Sequence, residues 1–123
     1  MTTPLHVLAD AEYMLLTTFR KDGTAVPTPV WATRVDDELW VWSAPEAGKI
    51  KRIRRSGAVQ VAPCSVRGEP RGSSVDASAR LLPESAVPVL LDALAAKYGF
   101  RGWLTTLGVR YFGRRGAAIA VTI

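Results

Sequence analysis

The feature that most constrains this fold is a series of short β-type runs closed by tight-turn signals. Tyr13–Phe19 is apolar and β-branched and predicts a strand. Lys21-Asp22-Gly23-Thr24 follows as a hairpin signal, because glycine supplies the positive φ that such a turn needs. A second strand is expected from Ala25 to Val35. It carries Pro27 and Pro29, which cannot donate to a ladder, so this stretch belongs at an edge, a bulge or an opening. Asp36-Asp37 makes the next turn. Glu38–Ser43 then alternates, with Leu39 and Val41 on one face and Trp40 and Trp42 on the other. Further strands are expected over Val59–Val66, broken at Pro63, over Ser73–Leu82, and over Ala117–Ile123. Six short strands with hairpin turns favour a closed or nearly closed antiparallel β-barrel over an open parallel sheet.

Helical segments flank this mainly β pattern. Residues 4–12 predict a short opening helix with Pro4 in its first turn. Residues 46–55 predict a second, starting either from a Ser43–Glu46 capping box or nearer Gly48. Ser85–Lys97 is amphipathic and ends at Gly99, and residues 100–112 are expected to form a short helix and a loop. A chain of 123 residues is expected to form one domain over its whole length, 1–123.

Composition narrows the chemistry. Cys64 is the single cysteine, which excludes an internal disulfide framework. No apolar run approaches the length of a membrane span, and the first residues lack the basic region of a signal peptide, so a cytoplasmic location is expected. The net charge of +5 points to acidic partners such as phosphate groups. His6, the single histidine, has nothing to position it for a Ser-His-Asp or Cys-His site. No His, Cys, Asp or Glu cluster has metal-ligand spacing, so no metal is expected. Gly48-Lys49 lacks the upstream glycine and the following Ser or Thr of a P-loop. No reading helix or aromatic-rich RNA motif supports a nucleic-acid partner. Hard chemistry on such a chain would come from a bound organic cofactor.

Three segments are candidates to hold one. Gly48-Lys49-Ile50-Lys51-Arg52-Ile53-Arg54-Arg55 carries five cations in residues 49–55, with Ile50 and Ile53 spaced to pack one face. Its first turn follows a strand directly, so its free N–H groups beside Lys49 would suit a phosphate. A solvated basic helix has the same composition. Val26-Pro27-Thr28-Pro29-Val30-Trp31 leaves backbone groups unpaired and offers an aromatic wall at Trp31. A bulged edge strand with a core tryptophan is the plainer alternative. In Ala62-Pro63-Cys64, the cysteine reads first as a small buried hydrophobe.

Taken in order, several segments resemble the pyridoxamine-phosphate-oxidase-class, F420-dependent oxidoreductases of actinobacterial type. They are Leu15–Gly23, Pro27–Trp31, Gly48–Arg54, Ala62–Cys64 with Arg67-Gly68, and Ala96-Lys97-Tyr98-Gly99. The resemblance implies a six-stranded antiparallel split β-barrel of the FMN-binding split-barrel type, dimerising with two cofactor sites at the interface. It implies coenzyme F420, with FMN as the alternative. The cofactor phosphate would lie near Gly48, Lys49 and Lys51, and the ring against Thr28, Pro29, Val30 and Trp31. Ser43 and Ala44 would flank the ribityl or phosphate portion, with Pro63 and Cys64 on the adjoining strand. The implied activity is hydride transfer from reduced F420 to a conjugated small-molecule acceptor, such as a tetrapyrrole, a quinone or an enone. An FMN oxidoreductase and a non-catalytic F420 carrier are the alternatives on the same barrel. The cations Arg52, Arg54 and Arg55 would meet the oligoglutamate tail that FMN lacks.

Overall fold

The structure, a computed structural model, describes residues 3–111 and 116–123, and in the stretch 100–111 it describes the backbone. The chain opens with helix α1 (Pro4–Asp10). Strands β1 (Tyr13–Phe19), β2 (Ala25–Val30), β3 (Ala32–Val35) and β4 (Glu38–Ser43) follow. Helix α2 (Gly48–Arg55), β5 (Ala58–Cys64) and β6 (Val75–Leu81) come next. A short 3-10 turn (Glu84–Ala86), helix α3 (Val87–Tyr111) and β7 (Ala117–Thr122) complete it.

All strand pairs are antiparallel, in the order β2-β1-β5-β6-β7-β4-β3. The two edge strands, β2 and β3, are consecutive in the chain, with Trp31 alone between them. A one-residue link between opposite edges requires the sheet to curl on itself, so the architecture is a barrel split at Trp31. Seven strands are therefore observed where six were expected. The expected 25–35 strand is cut because it changes partners: Val30 still pairs with Met14 of β1, whereas Ala32 pairs with Val41 of β4. Pro27 and Pro29 sit on the free edge, where their missing donors cost no ladder bond.

The turns follow from local chemistry. Gly23 has φ 88°, and Asp22 Oδ1 accepts from the Thr24 N–H at 2.9 Å, closing the β1–β2 hairpin. Asp36 takes a positive φ of 55° in the β3–β4 turn. Of the two starts considered for α2, the later is observed: its cap is Ala47, and no side chain caps it. Pro63 does not break β5. It pairs with Met14 on one side, and on the other β6 has already ended at the Val61–Val75 pair, so no donor is missed there. The strand ends at Cys64 rather than Val66.

The barrel interior holds Met14, Leu16, Leu39, Val41, Val61, Ile119 and Val121, all essentially inaccessible. Leu8 of α1 closes the end of the barrel where β1 begins. Ile50 and Ile53 of α2 close the end where β1 finishes. Outside, α3 lays Leu90 and Leu94 over Trp31, Trp40, Trp42 and Ala118. Gly99, with φ 62° and ψ −136°, interrupts α3 at the expected stop, and helical backbone resumes to Tyr111. The end of the expected 100–112 segment lies outside the described residues. Gly116 must be glycine: a Cβ there would lie 1.8 Å from Trp42 Nε1.

Candidate functional site

The basic helix α2 is not uniformly solvated. Ile50 and Ile53 anchor it in the core. Arg52 Nε donates to Thr18 Oγ1 at 2.7 Å, and Arg55 Nη2 donates to the Phe19 carbonyl. Two of the three arginines set aside for a glutamate tail are thus tied to β1. Arg54 remains exposed on the other side of the helix, on a cleft with Glu84. Lys51 is exposed.

Lys49 differs from its neighbours. Its side chain is half-buried, and burial, then the nearby Arg52 charge, pushes its ammonium below the usual lysine range. Among the described residues no hydrogen-bond or acidic partner satisfies it. It stands in the first turn of α2, which carries no acidic residue and no side-chain cap. The uncapped first turn, the half-buried Lys49 and the Arg52 guanidinium lying against Gly48 therefore share one region with no acidic residue in that turn. Ser43 and Ala44 lead into this turn. Ser43 is buried, its hydroxyl donates to the Ala44 carbonyl at 3.0 Å, and that carbonyl also accepts from the Ala47 N–H at 3.1 Å. Ser43 thus shapes the turn, its hydroxyl donor being taken by the Ala44 carbonyl.

The residues expected to line a ring divide between surfaces. Side chains alternate along a strand, so Thr28 and Val30, paired with the buried Leu16 and Met14, lie on the interior side. Pro29, opposite Leu15, lies on the outer side. There Gly68 approaches both, with its Cβ position 3.6 Å from Leu15 Cδ1 and 3.8 Å from Pro29 Cδ. Trp31 has one ring face taken: it stacks on Tyr98 at a centroid distance of 4.1 Å and an interplanar angle of 9°. Pro63 and Cys64 line a separate cleft of about 580 Å³ with Tyr13, Ser65 and Arg71. Cys64 is buried, and burial pushes its thiol up.

Lys97 and Tyr98 organise the split. Lys97 Nζ donates to the Ala11 carbonyl at 2.8 Å and to the Ala32 carbonyl. The Tyr98 hydroxyl donates to the Glu12 carbonyl at 2.8 Å. These side chains satisfy carbonyls freed where α1 ends and where the chain passes from β2 to β3. Burial brings the Lys97 ammonium down to about 8. A Lys-Tyr pair before a helix-ending glycine was the available signal, but its partners are 65 to 86 residues away in the chain.

A curled antiparallel sheet with helices at both ends and one flank defines a split β-barrel. Solved structures similar to this chain carry the same architecture. An F420 reductase matches at a TM-score of 0.64 and 15% identity, covering 99% of this chain and 94% of that one. A FAD-binding protein from Mesorhizobium loti matches at 0.64 and 18% identity, covering 95% and 82%. The heme storage protein HutZ from Vibrio cholerae matches at 0.68 and 9% identity, covering 99% and 90%. At these identities the shared property is the fold. No protein-family model matches the chain, and no curated protein does.

Proposed function

We propose that this chain is an F420-dependent oxidoreductase that passes a hydride from reduced deazaflavin to a conjugated organic acceptor. One observation carries the reading: the half-buried, unpartnered Lys49 at the uncapped first turn of α2, a place that calls for an anion such as the cofactor phosphate. Gly48 leaves room for the Arg52 guanidinium, whose Nη1 lies 2.7 Å from where a Cβ would stand, and Lys51 adds an exposed charge. A bound deazaflavin would supply the hydride for an electron-poor carbon of the acceptor, and water would supply the proton that completes the product. The chain's part is to hold and align the two molecules and keep water from the transfer. With Lys49 and Lys51 at the phosphate and Arg52 and Arg55 tied to β1, Arg54 is the cation of α2 left to meet a glutamate tail, the feature that would favour F420 over FMN.

The protein acts as a cytoplasmic homodimer with its sites at the interface. Half-buried Tyr13 and Phe19 on the outer side of β1, with Pro27 beside them and the Gly68 loop against Leu15 and Pro29, form a surface that a second copy would cover. Described helices include none long and apolar enough to cross a membrane.

Tryptophan-fluorescence titration tests the cofactor assignment. F420 should bind more tightly than FMN, and Lys49→Ala should weaken F420 by about tenfold to a hundredfold, the range for a charge-assisted hydrogen bond, without changing the melting curve. Unchanged dissociation constants in a folded Lys49→Ala protein would remove the phosphate site. Equal or tighter binding of FMN would favour the flavin reading instead.

A further inference from the structure

The loop after β5 turns back on the strand it leaves. Cys64 bridges to Pro70, the Ser65 N–H donates to the Glu69 carbonyl at 2.9 Å, and the Arg71 N–H donates to the Pro63 carbonyl at 2.8 Å. Arg71 is thereby fixed in position through its backbone. Its guanidinium, in contrast to those of Arg34, Arg52, Arg55 and Arg80, has no hydrogen-bond or acidic partner among the described residues.

Arg71 and Pro63 border two clefts at once. One, of about 580 Å³, is faced by Glu12, Tyr13, Cys64 and Ser65. The other, of about 240 Å³, is apolar, with Pro4, Val7, Leu8 and Val75. Glu12, the one acid on the larger cleft, is already engaged within the chain. The Arg71 charge also reaches the Cys64 thiol, where it opposes the effect of burial. The two clefts therefore meet at a guanidinium with no direct partner among the described residues, with polar groups to one side of it and an apolar trough to the other. Such a site suits a ligand with an anionic end and a hydrocarbon body.

We infer that this double cleft binds the acceptor, and that the acceptor is a carboxylic acid whose carboxylate pairs with Arg71 while its apolar body lies against Pro4, Val7 and Leu8. The inference rests on the oxidoreductase reading for the word acceptor; the carboxylate site itself does not need it. Redox bookkeeping is unchanged: the carboxylate takes no part in the transfer and serves to place the unsaturated carbon.

The test uses 2-naphthoate and 2-naphthamide, which share a ring system and differ in one charge, titrated calorimetrically into the full chain without cofactor. The acid should bind about tenfold tighter than the amide at low salt, as expected for one charge-assisted pair. Arg71→Gln should abolish that preference with no change in melting, because the side chain is exposed and has no partner to lose. Arg71→Lys should keep part of it, since a lysine retains the charge and loses the planar fork. Equal affinity for acid and amide, or a preference that survives Arg71→Gln, overturns the inference. Failure of F420 to bind in the fluorescence titration, with the naphthoate preference intact, would instead sink the oxidoreductase reading and leave a carboxylate site standing.

Discussion

Glu38 ties three strands together at one end of the barrel. Its Oε1 accepts from Arg80 Nη2 at 3.0 Å, and its Oε2 accepts from Thr122 Oγ1 at 3.0 Å and from Arg80 Nη1. The pair is bidentate and spans β4, β7 and β6. The Arg80 bonds, with help from Thr122 and Trp40, hold the Glu38 carboxyl at about 2, well under its ordinary 4.5. A shift of this size in a sealed environment would amount to a few kcal/mol. The Arg80 side chain is 54% exposed, however, and that of Glu38 23%, so water screens the pair. The contribution should fall to about 1 kcal/mol, the upper range for surface pairs with good geometry. The folded state ionises Glu38 more readily than the unfolded chain does. The stabilisation is therefore complete above about pH 4.5 and is lost as the pH falls toward 2.

A double-mutant cycle of Glu38→Gln and Arg80→Gln measures this term by urea unfolding at fixed protein concentration, at pH 7 and again near pH 3. At pH 7 the coupling should be about 1 kcal/mol and the single variants should melt lower by about 3–5 °C. Near pH 3 the coupling should shrink. A coupling under about 0.3 kcal/mol at pH 7, within the error of additivity, would refute the argument that the bidentate geometry overcomes exposure. A coupling that stays constant with pH would refute the assignment of the low titration to Glu38.

Ile53→Ala should cost about 2–4 kcal/mol, because the side chain is 5% exposed in the core and its loss leaves a cavity under α2; a urea midpoint near wild type would show that α2 is not anchored there. His6→Ala should leave turnover and melting nearly unchanged, since its contact with Asp10 at 3.3 Å joins two exposed side chains. A folded, inactive variant with normal cofactor affinity would show that the chain does use a histidine acid.

Elements governed by neighbours in the chain were legible in the sequence. Tyr13–Phe19 and Glu38–Ser43 form strands over those residues because their alternation, bounded by Gly23 and by Asp36-Asp37, is local information. Ile50 and Ile53 pack as their spacing requires, and Gly99 stops the helix because it takes a positive φ. What depends on pairing across the chain was not legible. The division of 25–35 at Trp31 comes from a change of strand partner, and nothing within those residues specifies it. The basic run at 49–55 offers Lys49 and Lys51 to a phosphate and its three arginines to an acidic tail, yet the tertiary structure ties Arg52 and Arg55 to β1 and leaves Lys49 half-buried without an acidic partner among the described residues. The four-residue run Thr28–Trp31 reads as one wall, but the period of a strand sends its members to different faces, and Trp31 finds Tyr98 across 67 positions of chain. Arg71 carried no local signal at all. Its importance arises only where a backbone bond to Pro63 sets it between two clefts. Periodicity and turn chemistry act over a few residues and determine the elements. Which charges remain unpaired is decided by contacts that exist only once the barrel has closed.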